Sequence, residues 1–155
     1  MPPWRESNMY KKPTTTKRPT KKELPEKWYL IDAAGKTLGR LASKLATILM
    51  GKTAATYDPA VLTPIKIVVT NASQIKVTGK KLTQKKYYRH SGYMGGLKTT
   101  SLEETLAKKP TKALEAAVSG MLPKNRLRRL RLANLKIYAG AEHQHMAQKP
   151  DILEL

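Results

Sequence analysis

The 155-residue chain carries 30 lysines and arginines against 11 acidic residues, a formal charge of +19, and has no cysteine. That length suits about one domain, whose core removes roughly two thirds of the unfolded surface from water; so one-sided a charge repels itself on compaction and calls for a polyanionic partner, nucleic acid by default or an anionic membrane surface. Disulfides and thiolate metal sites are excluded, and with no apolar run of about 18 residues and no N-terminal apolar segment the expectation is a soluble, non-secreted protein of a reducing compartment.

Residues 1–27, MPPWRESNMYKKPTTTKRPTKKELPEK, hold five of the ten prolines and eight basic against three acidic residues. Without apolar periodicity such a segment buries too little surface to offset its ordering entropy. A basic arm, disordered when free, is therefore expected ahead of a single domain at 28–155. Charge blocks of this kind often track nucleic-acid phosphates, the alternative being a plain solvated tail. Trp4 and Tyr10 suit either stacking on bases or packing on a protein neighbour.

Trp28-Tyr29-Leu30-Ile31-Asp32 is an aromatic and β-branched run ending at Ala34-Gly35, which predicts a strand and a turn. Leu38, Leu41, Ala42, Leu45, Ile48 and Leu49 then recur at three and four, one buried helical face, with Gly51 placed as its C-terminal cap. Gly35-Lys36-Thr37 and Gly51-Lys52-Thr53 both match the end of a phosphate-binding P-loop. That loop needs an earlier glycine so that its backbone N–H groups can wrap a phosphate. The corresponding positions are Leu30 and Ala46, so neither match predicts a nucleotide hydrolase. Ile65 to Asn71 reads as a buried strand, and Gln74-Ile75-Lys76-Val77 as a second short one. A strand–helix–strand order of this kind points to an α/β fold with a parallel or mixed sheet.

Between Asp58 and Glu103 there is no acidic residue, while Lys66, Lys76, Lys80, Lys81, Lys85, Lys86, Arg89 and Lys98 all fall there. Within this stretch Tyr87, Tyr88 and Tyr93 offer flat faces beside His90, and Gly92, Gly95 and Gly96 allow close backbone approach to a phosphodiester. The composition is that of an RNA-contacting loop; the alternative is a hairpin extension held by aromatic packing, its lysines merely solvated. Ser101-Leu102-Glu103-Glu104 has the serine and glutamate of a capping box opening a short helix that stops near Lys109-Pro110. Pro110 suits the first turn of the next helix, whose Leu114, Ala117, Val118 and Met121 share a face.

Met121 to Lys136, MLPKNRLRRLRLANLK, is a further basic block without acid. Leu127, Leu130 and Leu135 are expected to bury, with Lys124, Arg126, Arg128, Arg129 and Arg131 fanned outward. Arginine suits phosphate because its planar fork bridges two oxygens and stacks on bases; taken alone, such a block equally suits a membrane surface or an acidic protein. Leu135 to Tyr138 reads as a late strand ended by Gly140, followed by a polar, extended tail from His143. His143 and His145 form an H-x-H pair with only Glu142 near enough in sequence to join them, too few ligands for a metal. No hydrolase signature appears. The reading is binding without catalysis, with no metal and no cofactor.

The order WYLIDAAGKTLGRLAS, KIVVTNASQIKVTGKKLTQKKYYRHSGYMGGLK, AVSGMLPKN and LKIYAGAEHQHMAQKP is similar to the bacterial type of the large-subunit ribosomal protein thirteen family, from about Lys27 onward. The resemblance implies an α/β fold with a central, mainly parallel four-stranded sheet flanked by helices, and a structural role on large-subunit rRNA in early subunit assembly. It implies rRNA and neighbouring ribosomal proteins as partners, no membrane and no homo-oligomer. The family's RNA-facing segments fall on Lys36, Arg40 and Lys52, on Lys80 to Lys98 and on Lys124 with the arginines after it; Tyr138, Gly140, His143 and His145 match its C-terminal signature. The chain departs from the pattern at Asn125 to Arg129, where glycines are usual, so a more helical loop is expected. It departs again at Thr63-Pro64, where Gly-Asp is usual. The long arm and the YRHSG wording resemble plastid or cyanobacterial members, which implies a chloroplast ribosome, with a bacterial cytoplasm next.

Overall fold

The computed structural model describes residues 24–154; most of the expected N-terminal arm, including Trp4 and Tyr10, lies outside the described residues. The elements in chain order are β1 (Lys27–Asp32), α1 (Leu38–Met50), β2 (Ile65–Thr70), α2 (Lys81–Gln84), β3 (Lys86–His90), β4 (Leu97–Ser101), α3 (Leu102–Lys108), α4 (Pro110–Met121), α5 (Leu127–Ala133), β5 (Leu135–Ile137) and β6 (Asp151–Ile152). β5, β2, β1 and β6 lie side by side in that order, every pairing parallel, while β3 and β4 form a separate antiparallel ribbon.

Side-chain alternation decides which face of the sheet is buried where. Ile31, Ile65, Ile67, Val69 and Leu135 pack with the apolar stripe of α1 and with Leu114 and Val118 of α4 in one cluster. The six α1 residues singled out by their spacing are all buried. Gly51 ends that helix in the left-handed region, φ +80°, donating its N–H to the Ile48 carbonyl. A Cβ there would collide with Thr63 Oγ1. Thr63 in turn donates to the Met50 carbonyl at 3.4 Å. Gly51 of the second GKT is thus a helix cap, and Thr63, one of the residues that replaces Gly-Asp, packs on it.

The opposite face is covered by the chain's own tail. Trp28 alternates with the core-facing Tyr29, and its ring lies 5.1 Å from that of His145; Tyr138 stands 6.3 Å from His143 and 6.0 Å from His145. Beyond a short 3₁₀ turn at Met146–Gln148 the tail pairs with β1 as β6, and the Leu153 N–H donates to the Leu30 carbonyl at 2.9 Å. The tail was expected to be only polar and extended, but Leu153 packs against the main core and draws it into the sheet as an edge strand.

A second expectation also changes. Gln74 to Val77 is not a strand of the sheet: Ala72–Gln74 form a 3₁₀ turn, and the segment then makes one isolated parallel bridge, Lys76 with Thr37. The cause is Asn71, whose φ of +57° turns the chain out of the extended path. Asn125 to Arg129 does lead directly into helix, as expected from its missing glycines: Arg126 is the N-cap of α5.

Candidate nucleic-acid interface

The C-terminal ends of β1 and β2 carry the first cationic group. Asp32 accepts hydrogen bonds through Oδ1 from the Ala34 N–H at 3.0 Å and from Asn71 Nδ2 at 2.8 Å. The Ala34 N–H, then the Asn71 amide and nearby Lys36, hold its carboxyl below the usual carboxylate range. The turn between them closes with Gly35 at φ +69°, whose N–H donates to the Gln74 carbonyl, while the Lys36 carbonyl accepts from the Lys76 N–H. The first GKT is therefore a turn stitched to residues 74–76. Its backbone groups are used inside the fold, not turned around a nucleotide.

That stitching brings distant lysines together. Lys76, Lys81 and Lys85 line one groove of about 460 Å³ with Thr37 and Gly39 at the start of α1. Arg40 is exposed in the first turn of the same helix, which has no acidic residue there. Lys76, which the sequence placed inside a strand, is exposed and part of this group. Lys52 is also exposed, but stands past the other end of α1, separated from Lys36 by a 13-residue helix or about 20 Å.

The glycine-tyrosine segment is a hairpin whose two faces differ. In its register Arg89 stands opposite Lys98 and Tyr87 opposite Thr100, on one face; Tyr88 opposite Thr99 and His90 opposite Leu97 make the other. Two like charges directly opposite destabilise a strand pair, so Arg89 and Lys98 form a site that an anion would relieve. Tyr88 is 67% exposed and Tyr93, at the tip, 81%. Gly92 and Gly95 both have positive φ, which lets the tip turn tightly, and His90 Nδ1 accepts from the Gly92 N–H at 3.0 Å. Tyr87 is different: its hydroxyl is buried without a hydrogen-bond partner, and burial pushes the phenol above its ordinary value, so it stays neutral. Lys85 Nζ lies 5.6 Å from the centre of its ring. Lys80, Lys81 and Lys86 are exposed around the base of the hairpin.

The arginine block only partly follows its expected arrangement. Lys124, Arg126 and Arg129 are exposed, and Arg128 donates through Nη2 to Ser119 Oγ at 2.7 Å. Arg131, expected to fan outward, is 1% exposed and donates through Nη2 to the Pro59 carbonyl at 3.3 Å, whereas Leu130, expected to bury, is 49% exposed. A seven-residue helix held at one side by α4 and at the other by the loop before β2 presents Arg131 to that loop. As placed, its guanidinium ties α5 to the body and is not available to RNA. His143 and His145 are half-buried in the ring cluster across the sheet from the α1–α4 core, and His143 Nδ1 accepts from the His145 N–H at 3.2 Å. They are not grouped with the lysines.

One basic cluster escaped the sequence reading. Lys108, Lys109 and Lys112, spread over the α3–α4 junction, line a depression of about 200 Å³ with Thr100, Glu104 and Thr105. The run KKPTK was its signal, obscured because it divides between two helices. Among the described residues, no group of three or more His, Asp or Glu could hold a metal ion, and no helix is long and apolar enough to cross a membrane.

Comparison with known proteins adds an independent line. The family profile described as ribosomal protein L13 matches residues 26–144. The large ribosomal subunit protein uL13 of Symbiobacterium thermophilum is 56% identical over 129 residues, 83% of this chain and 90% of its own. That of Desulfovibrio desulfuricans is 56% identical over 137 residues, 88% and 95% of the two chains. That of Nitrosococcus oceani is 52% identical over 134 residues, 86% and 94%.

Proposed function

The chain belongs to the ribosomal protein L13 family, and from that premise we propose that it grips large-subunit rRNA by its phosphates at the cationic groups described above. It is a structural component of the large ribosomal subunit, acting in translation, and not an enzyme. The sheet, α1 and α4 serve as a rigid support. Lys36, Arg40, Lys76, Lys81 and Lys85 at one end of α1, the hairpin with Lys86, Arg89 and Lys98, and Lys124, Arg126, Arg128 and Arg129 reach RNA from separate segments. Lys52 reaches it at the far end of that helix. Contacts of this type position a protein without reading sequence; recognition is then of backbone shape, with bases stacked on exposed Tyr88 and Tyr93. Fixing several RNA segments in one geometry is the contribution to early subunit assembly. The arm at 1–27 adds a further basic contact. The relatives named above are bacterial and lend the chloroplast expectation no support; the proposed location is a ribosome of bacterial type.

The observation that carries this reading is the cross-strand pair Arg89–Lys98, placed where no acidic residue lies between Asp58 and Glu103 in the chain. A sucrose-gradient profile of a native lysate, probed at moderate and high salt, tests it. Stoichiometric retention in the large-subunit peak through the high-salt wash is expected; a mainly free protein would overturn the ribosomal role. On isolated rRNA, six to eight neutralised phosphates give a log–log salt slope of about −4 to −7, and a slope near zero would overturn the electrostatic mechanism.

A further inference from the structure

We infer that Lys108, Lys109 and Lys112 form a second RNA-backbone site, continuous with the cationic face of the hairpin, so that one strand of RNA runs from Arg89 and Lys98 down onto the α3–α4 junction. The inference rests on the RNA-binding reading above and adds residues that reading does not use. Strand alternation supplies the continuity: Lys98 and Thr100 share a face of β4, opposite Arg89 and Tyr87. Thr100 is also a wall of the depression that holds the three lysines. From Lys98 to Thr100 is about 7 Å along the strand, so the two cationic groups follow one another along a single surface.

The depression carries three ammonium groups against the one carboxylate of Glu104. Lys108, Lys109 and Lys112 are all exposed. They are held in place by backbone: the Lys109 N–H donates to the Thr105 carbonyl, and the Lys112 N–H to the Lys109 carbonyl. Thr105 itself is tied to the end of β4, its Oγ1 donating to the Ser101 carbonyl at 2.9 Å. Hairpin and junction are thus one connected unit. Three like charges collected on a short chain bend, with hydroxyls beside them, suit a run of phosphodiesters and not a single small anion, because each flexible ammonium reaches a separate phosphate as a point charge.

The test uses the full-length chain and large-subunit rRNA extracted from bacterial ribosomes, titrated across a salt series. Three variants are compared with the wild type: Lys108→Gln/Lys109→Gln/Lys112→Gln, the hairpin variant Arg89→Gln/Lys98→Gln, and an equal charge change elsewhere on the surface, Lys44→Gln/Lys149→Glu. Losing three phosphate contacts flattens the log–log slope by about 2 to 2.7, and that is expected of the junction variant, with its thermal midpoint unchanged and the surface control near wild type. Equal flattening by the control would overturn the site by reducing it to net charge. If only the hairpin variant flattens the slope, the junction site is overturned while the RNA-binding reading stands. A wild-type protein with no salt-dependent binding would bring down both.

Discussion

The sheet and the β3–β4 hairpin sit in one chain but are held by different forces. Five of the six residues of β2 are buried, while neither hairpin strand has a buried residue. In the sheet each alternate side chain leaves water against α1, α4 or the tail, and the hydrophobic effect sets the shape without any partner. The hairpin is held mainly by its own backbone pairing and by its base against α2 and α3. Two-stranded ribbons are marginal alone, and this one opposes Arg89 to Lys98. Its stability is sacrificed for a surface on which nearly every side chain faces outward. The body buries a core of its own, whereas the hairpin leaves a like-charge pair that, on the function proposed above, the RNA backbone would neutralise.

Substitutions can break that division or sharpen it. Leu45→Ala, at a fully buried position of α1, should cost about 2–5 kcal/mol, measured by chemical denaturation; a loss under about 1 kcal/mol would mean the body is not packed as described. Arg131→Ala should cost about 1–3 kcal/mol, since it leaves the Pro59 carbonyl without its charged donor, while Arg129→Ala should stay within about 0.5 kcal/mol. If the two arginines lost equal stability, the distinction between a structural and an exposed arginine in α5 would fail. Arg89→Ala with Lys98→Ala should leave stability unchanged or slightly raised, because a like-charge pair disappears, yet flatten the salt dependence of rRNA binding by about 1.4 to 1.8. A large loss of stability with intact binding would reverse the roles of hairpin and body.

The smallest effect concerns the turn between β1 and α1, which is stitched to residues 74–76. The depressed carboxyl of Asp32 contributes stability above the pKa of an unfolded aspartate, and that contribution is lost as pH falls through the folded value. Asp32→Asn should therefore make the acid side of the stability profile shallower, read as thermal midpoint against pH from 6 down to 2, with the neutral-pH midpoint slightly lower. A profile steeper than that of the wild type would contradict the arrangement of Ala34, Asn71 and Lys36 around it.

What could be read without coordinates was local. α1, β1 and β2 follow from periodicity and from Gly51, since burying one face imposes a spacing that neighbouring residues must show. The Ser101 cap, whose Oγ accepts from the Glu104 N–H, follows from side-chain reach alone. The family, and with it the ribosomal role, was legible from four motifs in order. The misreadings all concern partners distant in sequence. Val77 and its neighbours have strand composition but are diverted at Asn71, whose left-handed backbone goes with a side chain that donates to Asp32, 39 positions earlier. Arg131 has the composition of a surface residue, yet meets a carbonyl 72 positions earlier.

Charge, helical spacing and caps thus belong to the sequence itself, because each depends on residues within a turn or two of one another. Tertiary structure alone decided that the tail supplies the fourth strand and covers one face of the sheet. It alone decided that Lys76 joins Lys81 and Lys85 in one groove, and that Thr100 links the hairpin to Lys108, Lys109 and Lys112. The physical reason is the same in each case: phosphate responds to where charges stand in space, and spacing along the chain does not specify that until the core has packed.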